Sequence, residues 1–234
     1  VDDVASTDET ASGSDAGSLR TTARLEGDRY LVNGTKLWIT QSDIAETIIL
    51  MARTGGPGPK GISSFIVEKG MAGFKTGKRE KKMALSSSHT MELIFENCEI
   101  PVENRIGNEG DGFKIAMSAL DSGRITIAAT ACGIARSALR CAVSHSKERE
   151  QFGKPIGEFQ GVQFMLADMS TQLNAANLLV QKAAWLKDQA QPYSIQSAQA
   201  KLFATDAAMR ITTDAVQVLG GSGFTRDFPV ERFM

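Results

Sequence analysis

Arg29-Tyr30-Leu31-Val32-Asn33-Gly34-Thr35-Lys36-Leu37-Trp38-Ile39-Thr40 is the stretch that decides the fold class. Both of its halves carry the β-branched and aromatic residues that strands favour. Asn33-Gly34 between them is a hairpin signal, because a type I′ turn needs positive φ at both central residues. The stretch therefore predicts a strand over 29–32, a turn, and a second strand over 36–40. In that second strand Trp38 and Thr40 alternate with Leu37 and Ile39, so indole and hydroxyl share one face. Outward from it, further short apolar runs lie at 48–52, 62–67 and 91–95. Gly55-Gly56-Pro57-Gly58-Pro59 makes the loop between two of them. The expectation is an antiparallel barrel or sandwich of about six to eight strands.

Composition shifts over 101–112, and past Gly112 the apolar period becomes helical. Phe113, Met117 and Leu120 open one helix, with Leu139, Ala142 and Val143 near its far end. Val162, Met165, Met169, Leu173, Ala176 and Val180 form an i, i+3/i+4 stripe. Ala198, Leu202, Thr205, Met209, Thr212, Val216 and Leu219 form another, and Pro155 and residues 189–192 punctuate the pattern. Long helices with short connections predict an antiparallel up-down bundle. The fold class is α+β in two domains: a β domain over 1–108, then an incomplete helical bundle over 109–234. Such a bundle exposes an apolar face, which a further helix beyond Met234 or a partner subunit is expected to cover. The missing initiator Met and the abrupt Phe233-Met234 end read as truncation.

A net charge of −1 gives no general affinity for nucleic acid or an anionic membrane. The apolar runs are too short to span a bilayer. Cys98, Cys132 and Cys141 lack CxxC spacing and read as buried thiols of a reducing compartment. His89 and His145 share no metal-ligand spacing with them and read as polar surface or packing residues. Lys78-Arg79-Glu80-Lys81-Lys82 reads as a solvated loop. HExxH, Walker-loop and nucleophile-elbow patterns are missing from the sequence.

Several segments carry chemistry: Ser12-Gly13-Ser14-Asp15, Asn33 to Thr40, Leu120-Asp121-Ser122-Gly123-Arg124, Arg149 to Gly153 with Phe159-Gln160, and Gln217-Val218-Leu219-Gly220-Gly221. Together they resemble the acyl-CoA dehydrogenase family in order and spacing. Asn33 to Thr40 resembles its NGxKxWIT segment. There the Trp flanks the flavin ring and the Thr hydrogen-bonds it, with Ile39 between them. Ser12-Gly13-Ser14-Asp15 resembles the end of the TEPxAGSD loop, although Asp8, Thr10 and Ser12 depart from that pattern. By that likeness Gly13 and Ser14 approach the flavin and Ser14 also meets the CoA arm. Arg149-Glu150-Gln151-Phe152-Gly153, followed by Phe159-Gln160, is similar to RxxFGxxI…FQ. Its Arg meets the flavin pyrophosphate of a neighbouring subunit, a task that suits a guanidinium fork. Gln217-Val218-Leu219-Gly220-Gly221 resembles the AVQxxGGxG segment, which reaches the same dinucleotide. Leu120-Asp121-Ser122-Gly123-Arg124 resembles LDxxR, whose Asp and Arg contact pantetheine. Read without the family, these are a Ser/Gly loop, a helix-end charge, a helix C-cap and an i, i+3 ion pair.

The resemblance implies an FAD-dependent enzyme that converts a short- to medium-chain acyl-CoA to trans-2-enoyl-CoA. It further implies electron transfer to an electron-transfer flavoprotein and a homotetramer built as a dimer of dimers. The compartment is then a bacterial cytoplasm or a mitochondrial matrix rather than a secreted one. Gly123 stands where the isovaleryl and long-chain branches carry their catalytic Glu, and the sequence near it looks like the short-chain, butyryl-type branch. The base is expected beyond residue 234, so no residue here is assigned as catalytic and this stretch alone is expected to be inactive. Two other readings fit the same resemblance: an acyl-CoA oxidase or nitroalkane-oxidase-like flavoenzyme, and a non-catalytic flavin-binding relative.

Overall fold

One sheet carries the strands β1 (Asp3–Ala5), β2 (Thr22–Glu26), β3 (Arg29–Thr40), β4 (Thr47–Arg53), β5 (Ile62–Glu68), β6 (Phe74–Arg79), β7 (Thr90–Pro101) and β8 (Arg105–Ile106). The structure is a computed structural model and describes residues 3–5 and 13–234. The strand order is β6-β7-β3-β2-β4-β5-β8, with β1 alongside β4 in parallel. Tyr30 on β3 lies edge-on to Phe65 on β5 with ring centroids 4.8 Å apart, although β2 and β4 separate their strands. The sheet therefore curls around one core, the barrel-like form expected of the first region. Val32, Leu50, Phe65, Val67, Leu93 and Ile100 are fully buried there. Each such side chain contributes about 1.5–3 kcal/mol by leaving water, which is what holds the curl closed.

Asn33-Gly34 is not the turn. The hairpin turn is Gly27-Asp28, flanked by the paired Glu26 and Arg29, with Gly27 at φ 64. Gly34 sits inside β3 at φ 149, where a Cβ would come within 2.5 Å of Thr21 Oγ1. Close approach of a neighbouring segment, not a reversal of the chain, demands glycine here. Asn33 pairs with a bulge on β7: its side chain donates to Asn97 Oδ1 at 3.0 Å and accepts the Asn97 N–H at 2.8 Å.

A second bulge lies on β3 itself. Lys36 pairs with Leu93 and Ile39 with Met91, so Leu37 and Trp38 together oppose Glu92. One extra residue reverses the face taken by every later side chain. Tyr30, Val32 and Lys36 are buried before it and Ile39 after it. Trp38, which strict alternation from Lys36 would bury, is instead 58% exposed.

The chain divides into two compact units, Val1–Ala119 and Leu120–Met234. The second holds most of α1 (Gly112–Glu148), then α2 (Gln160–Asp188) and α3 (Ser194–Leu219). A small hairpin of β9 (Glu150–Gln151) and β10 (Lys154–Pro155) links α1 to α2. On α2 the expected stripe packs inward, with Met169, Leu173 and Ala176 buried. On α3 it does not. The buried face is Ala200, Ala204, Ala207, Ala208, Ile211, Ala215 and Val218, with Thr212 and Leu219 the members of the expected stripe that join it. Leu202 and Met209 from that stripe are exposed. Small side chains let neighbouring helices approach, so alanine rather than leucine fills the seam. The basic run at 78–82 also begins as strand, since Lys78 and Arg79 close β6.

Candidate functional site

The β3 bulge shapes the candidate site of the first unit. Trp38 takes φ 64, a left-handed conformation that is a genuine outlier for a bulky side chain. Thr40 is exposed on the same side, while the Ile39 side chain enters the core and leaves only main chain for a ligand. Gln41 follows at φ 51 and its N–H donates to the His89 carbonyl at 2.8 Å. His89 Nδ1 also meets Asp43 Oδ2 at 2.5 Å. The end of the Trp-Ile-Thr segment is thus tied to the start of β7. The hydrogen bond from His89 holds the Asp43 carboxyl below the usual carboxylate range, and the Arg79 charge adds to it. His89 is therefore half-buried and partnered.

Ser14 is exposed on a cavity of about 780 Å³ that Arg20, Arg53, Phe113 and Met117 also line. Arg53 is not spare there: its guanidinium donates to the carbonyls of Gly17, Leu19, Gly56 and Gly58. Gly13 is exposed beside Ser14. Trp38 and Thr40 do not line this cavity. Asp8, Thr10 and Ser12, where the loop departs from the family pattern, lie outside the described residues. Burial pushes the Cys98 thiol up to about 11, so it stays protonated and unreactive at neutral pH.

In the second unit the expected residues fall into two groups. Arg149, Gln151, Phe152 and Gln160 cluster at the β9–β10 hairpin. Phe152 is 94% exposed at φ 52, with its ring edge-on to Phe159 at 6.0 Å. The Arg149 side chain is exposed and makes no ion pair or hydrogen bond among the described residues. The Gln151 amide folds back onto the Glu150 carbonyl at 2.6 Å. Gln217, Gly220 and Gly221 are exposed at the end of α3, and a Cβ on either glycine would meet only open space. His145 packs edge-on to Phe228 at 5.6 Å, which brings the segment after α3 to the end of α1 that bears the hairpin. These residues therefore gather at one end of the bundle.

Asp121 and Arg124 lie near the other end. Arg124 Nη1 donates to Asp121 Oδ1 at 2.6 Å. From Asp121 to Glu148 the helix rises about 40 Å, so the two groups do not meet within one chain. The i, i+3 ion pair is the one the sequence suggested; sequence reasoning missed what the start of α3 adds to it. Ser194 Oγ donates to Asp121 Oδ2, and Tyr193 and Ser122 share a hydroxyl hydrogen bond at 3.0 Å. The signal available was a Ser just past Pro192, the mark of a helix start. In the structure that hydroxyl serves α1 instead of capping α3.

Known proteins share this architecture. The family model for the acyl-CoA dehydrogenase middle domain matches residues 4–98, and that for the C-terminal domain matches residues 110–234. The chain belongs to the acyl-CoA dehydrogenase family. A short-chain specific acyl-CoA dehydrogenase of Clostridium acetobutylicum is 51% identical over 223 residues, covering 95% of this chain and 59% of that protein. The butyryl-CoA dehydrogenase structure from Megasphaera elsdenii superposes with a TM-score of 0.97 at 47% identity, over all of this chain and 61% of that one. A chain in the structure described as the electron transferring flavoprotein of Acidaminococcus fermentans gives a TM-score of 0.97 at 54% identity, over 100% of this chain and 62% of that one. The chain thus spans about three-fifths of the length of these relatives. Among the described residues, no helix is long and apolar enough to cross a membrane.

Proposed function

We propose that the protein is an FAD-dependent dehydrogenase of short- to medium-chain acyl-CoA thioesters. Its product is the trans-2-enoyl-CoA and its electron acceptor an electron-transfer flavoprotein. The observation that carries this reading is Trp38, an exposed indole at φ 64 beside exposed Thr40, in a chain half identical to a short-chain enzyme. Such a backbone costs on the order of 1–3 kcal/mol; here the bulge of β3 holds it, and strained backbone of this kind clusters at ligand sites. An apolar ring face next to a hydroxyl suits a flat heteroaromatic ring, so the residues present fit a flavin.

When bound, FAD supplies a hydride acceptor for the thioester β-carbon. The chain's own residues do the rest. Trp38 would wall the ring from water, and the Thr40 hydroxyl would donate a hydrogen bond to it, a fixed dipole that favours added negative charge there. The Ile39 main chain would meet the ring beside them. Ser14, on a cavity that Trp38 and Thr40 do not line, would with Gly13 meet another part of the cofactor. Ser14, Asp121 and Arg124 bind the CoA arm. Arg149, Gln151, Phe152, Gln160, Gln217, Gly220 and Gly221 reach the dinucleotide of a neighbouring subunit. The rise of about 40 Å along α1 between those residues and Asp121 supports that division of labour between two subunits; the dimer of dimers rests on the family resemblance alone. Gly123 offers no side chain where some branches carry the base, so the α-proton goes to a carboxylate assigned beyond residue 234. The working division is a β domain over 1–108 and a helical domain over 109–234. The location is a bacterial cytoplasm or a mitochondrial matrix.

The test uses the full-length protein under anaerobic conditions, with its visible spectrum followed as butyryl-CoA is added. A flavin band that bleaches is the expected result. A band that persists with both butyryl-CoA and octanoyl-CoA overturns the substrate class, and a colourless protein overturns the flavin reading.

A further inference from the structure

We infer that Ser194 is a positioning residue for the substrate site, holding the Asp121 carboxylate in the orientation that binds the amide-bearing pantetheine arm of a CoA thioester. The inference rests on the substrate reading above. It starts from Asp121, whose two oxygens are both engaged: Oδ1 accepts from Arg124 Nη1 at 2.6 Å and Oδ2 accepts from Ser194 Oγ. Three-quarters or more of its side chain is out of contact with water, because its side-chain exposure is 20%.

A carboxylate on a helix rotates about its terminal torsion at little cost, since sp³–sp² wells are broad. One bond to Arg124 from the same helix leaves that rotation partly free. The second bond comes from a different helix, seventy-three positions away in the chain, and fixes the plane of the group. Each oxygen keeps a further lone pair, so the pinned carboxylate still accepts from a ligand N–H. Arg124 likewise keeps most of its donors, and its side chain is 40% exposed to receive an acceptor.

Ser194 is itself held. Its carbonyl accepts from Ser197 Oγ at 2.9 Å, and Ser197 is fully buried against the bundle core. One residue earlier, the Tyr193 hydroxyl meets Ser122 at 3.0 Å. That contact also ties the start of α3 to α1, yet it does not touch Asp121. The two adjacent contacts therefore separate positioning from simple fastening. Only the Ser194 bond reaches the group that meets substrate.

The experiment measures CoA and butyryl-CoA binding to the full-length protein by calorimetry, together with thermal unfolding and steady-state kinetics. Ser194→Ala is expected to weaken CoA binding about tenfold and to raise KM with kcat little changed, because it removes binding rather than chemistry. Ser194→Thr keeps the hydroxyl and is expected to restore affinity. Tyr193→Phe is expected to lower the melting temperature while leaving CoA affinity at the wild-type value. Should Ser194→Ala fail to fold, Ser194→Cys, nearly the same size but a weaker donor, must weaken CoA binding in its place. A folded Ser194→Ala, or its Cys substitute, with unchanged CoA affinity overturns the inference and makes Ser194 a fastener only. A wild-type protein that binds no CoA thioester overturns the substrate reading itself, and is told apart by the wild-type titration alone.

Discussion

The two units are built from different material. The β unit fills its core with large side chains, among them Tyr30, Phe65, Leu93 and Ile100. The helical unit fills its own with alanine: Ala128, Ala135, Ala138 and Ala142 on α1, Ala176 and Ala183 on α2, and Ala200, Ala204, Ala207 and Ala215 on α3. A sheet leaves a gap between its faces that only long side chains close. Helices can instead close the gap by moving together, and alanine permits that. What stabilises the first unit is apolar area per residue; in the second it is proximity, above all that of α2 and α3. The two respond to opposite kinds of damage.

The largest expected effect is a deletion in the β core. Phe65 is fully buried against Tyr30, so Phe65→Ala should cost about 3–5 kcal/mol, the sum of lost transfer energy and a cavity. Calorimetric unfolding that shifts by under a kcal/mol would show that the curl collapses onto the hole. The helical unit should be most sensitive to addition. Ala204 is 1% exposed on α3, and Ala204→Leu should cost about 1–3 kcal/mol by forcing helices apart. Leu202→Ala, two residues earlier and 63% exposed, should stay within about 0.5 kcal/mol in the same assay. A larger loss for Leu202 than for Ala204 would break the comparison outright.

The smallest effect concerns charge and belongs to the β unit. The folded-state pKa of Asp43 is depressed, chiefly by His89. Its stabilising contribution is therefore complete above the ordinary carboxylate pKa and is lost as pH falls through the folded value. Asp43→Asn should remove that contribution, so mutant and wild type should differ at neutral pH and converge in acid. Parallel stability curves down through the carboxylate range would count against the pairing.

How far the sequence reached follows the same divide. Short β-branched runs marked β4, β5 and part of β7, because a sheet core must be large and apolar and such residues announce themselves. The Asn33-Gly34 reading failed where glycine answered a tertiary contact with Thr21 instead of a local turn. The α3 stripe failed because its large residues face outward and the true seam of alanines carries almost no hydropathy contrast. In the candidate site, the outward turn of Trp38 was invisible because a bulge depends on how two strands count against each other. The partner of Asp121 was hidden for a similar reason: Ser194 is a distant residue whose role exists only once α3 stands beside α1.

The paired bulges of β3 and β7 have a consequence for insertions and deletions. β7 carries one surplus residue at Glu96-Asn97 and β3 carries one at Leu37-Trp38, and the ladder ends in step at Thr40 with Thr90. A single-residue deletion at either place alone shifts the frame of everything beyond it, much as in a reading frame. Deletion at both restores the count and yields a regular ladder. That ladder would be simpler to build, and it would have lost the outward aromatic shelf. Length changes at these two sites, far apart in the chain, can therefore be accommodated only together.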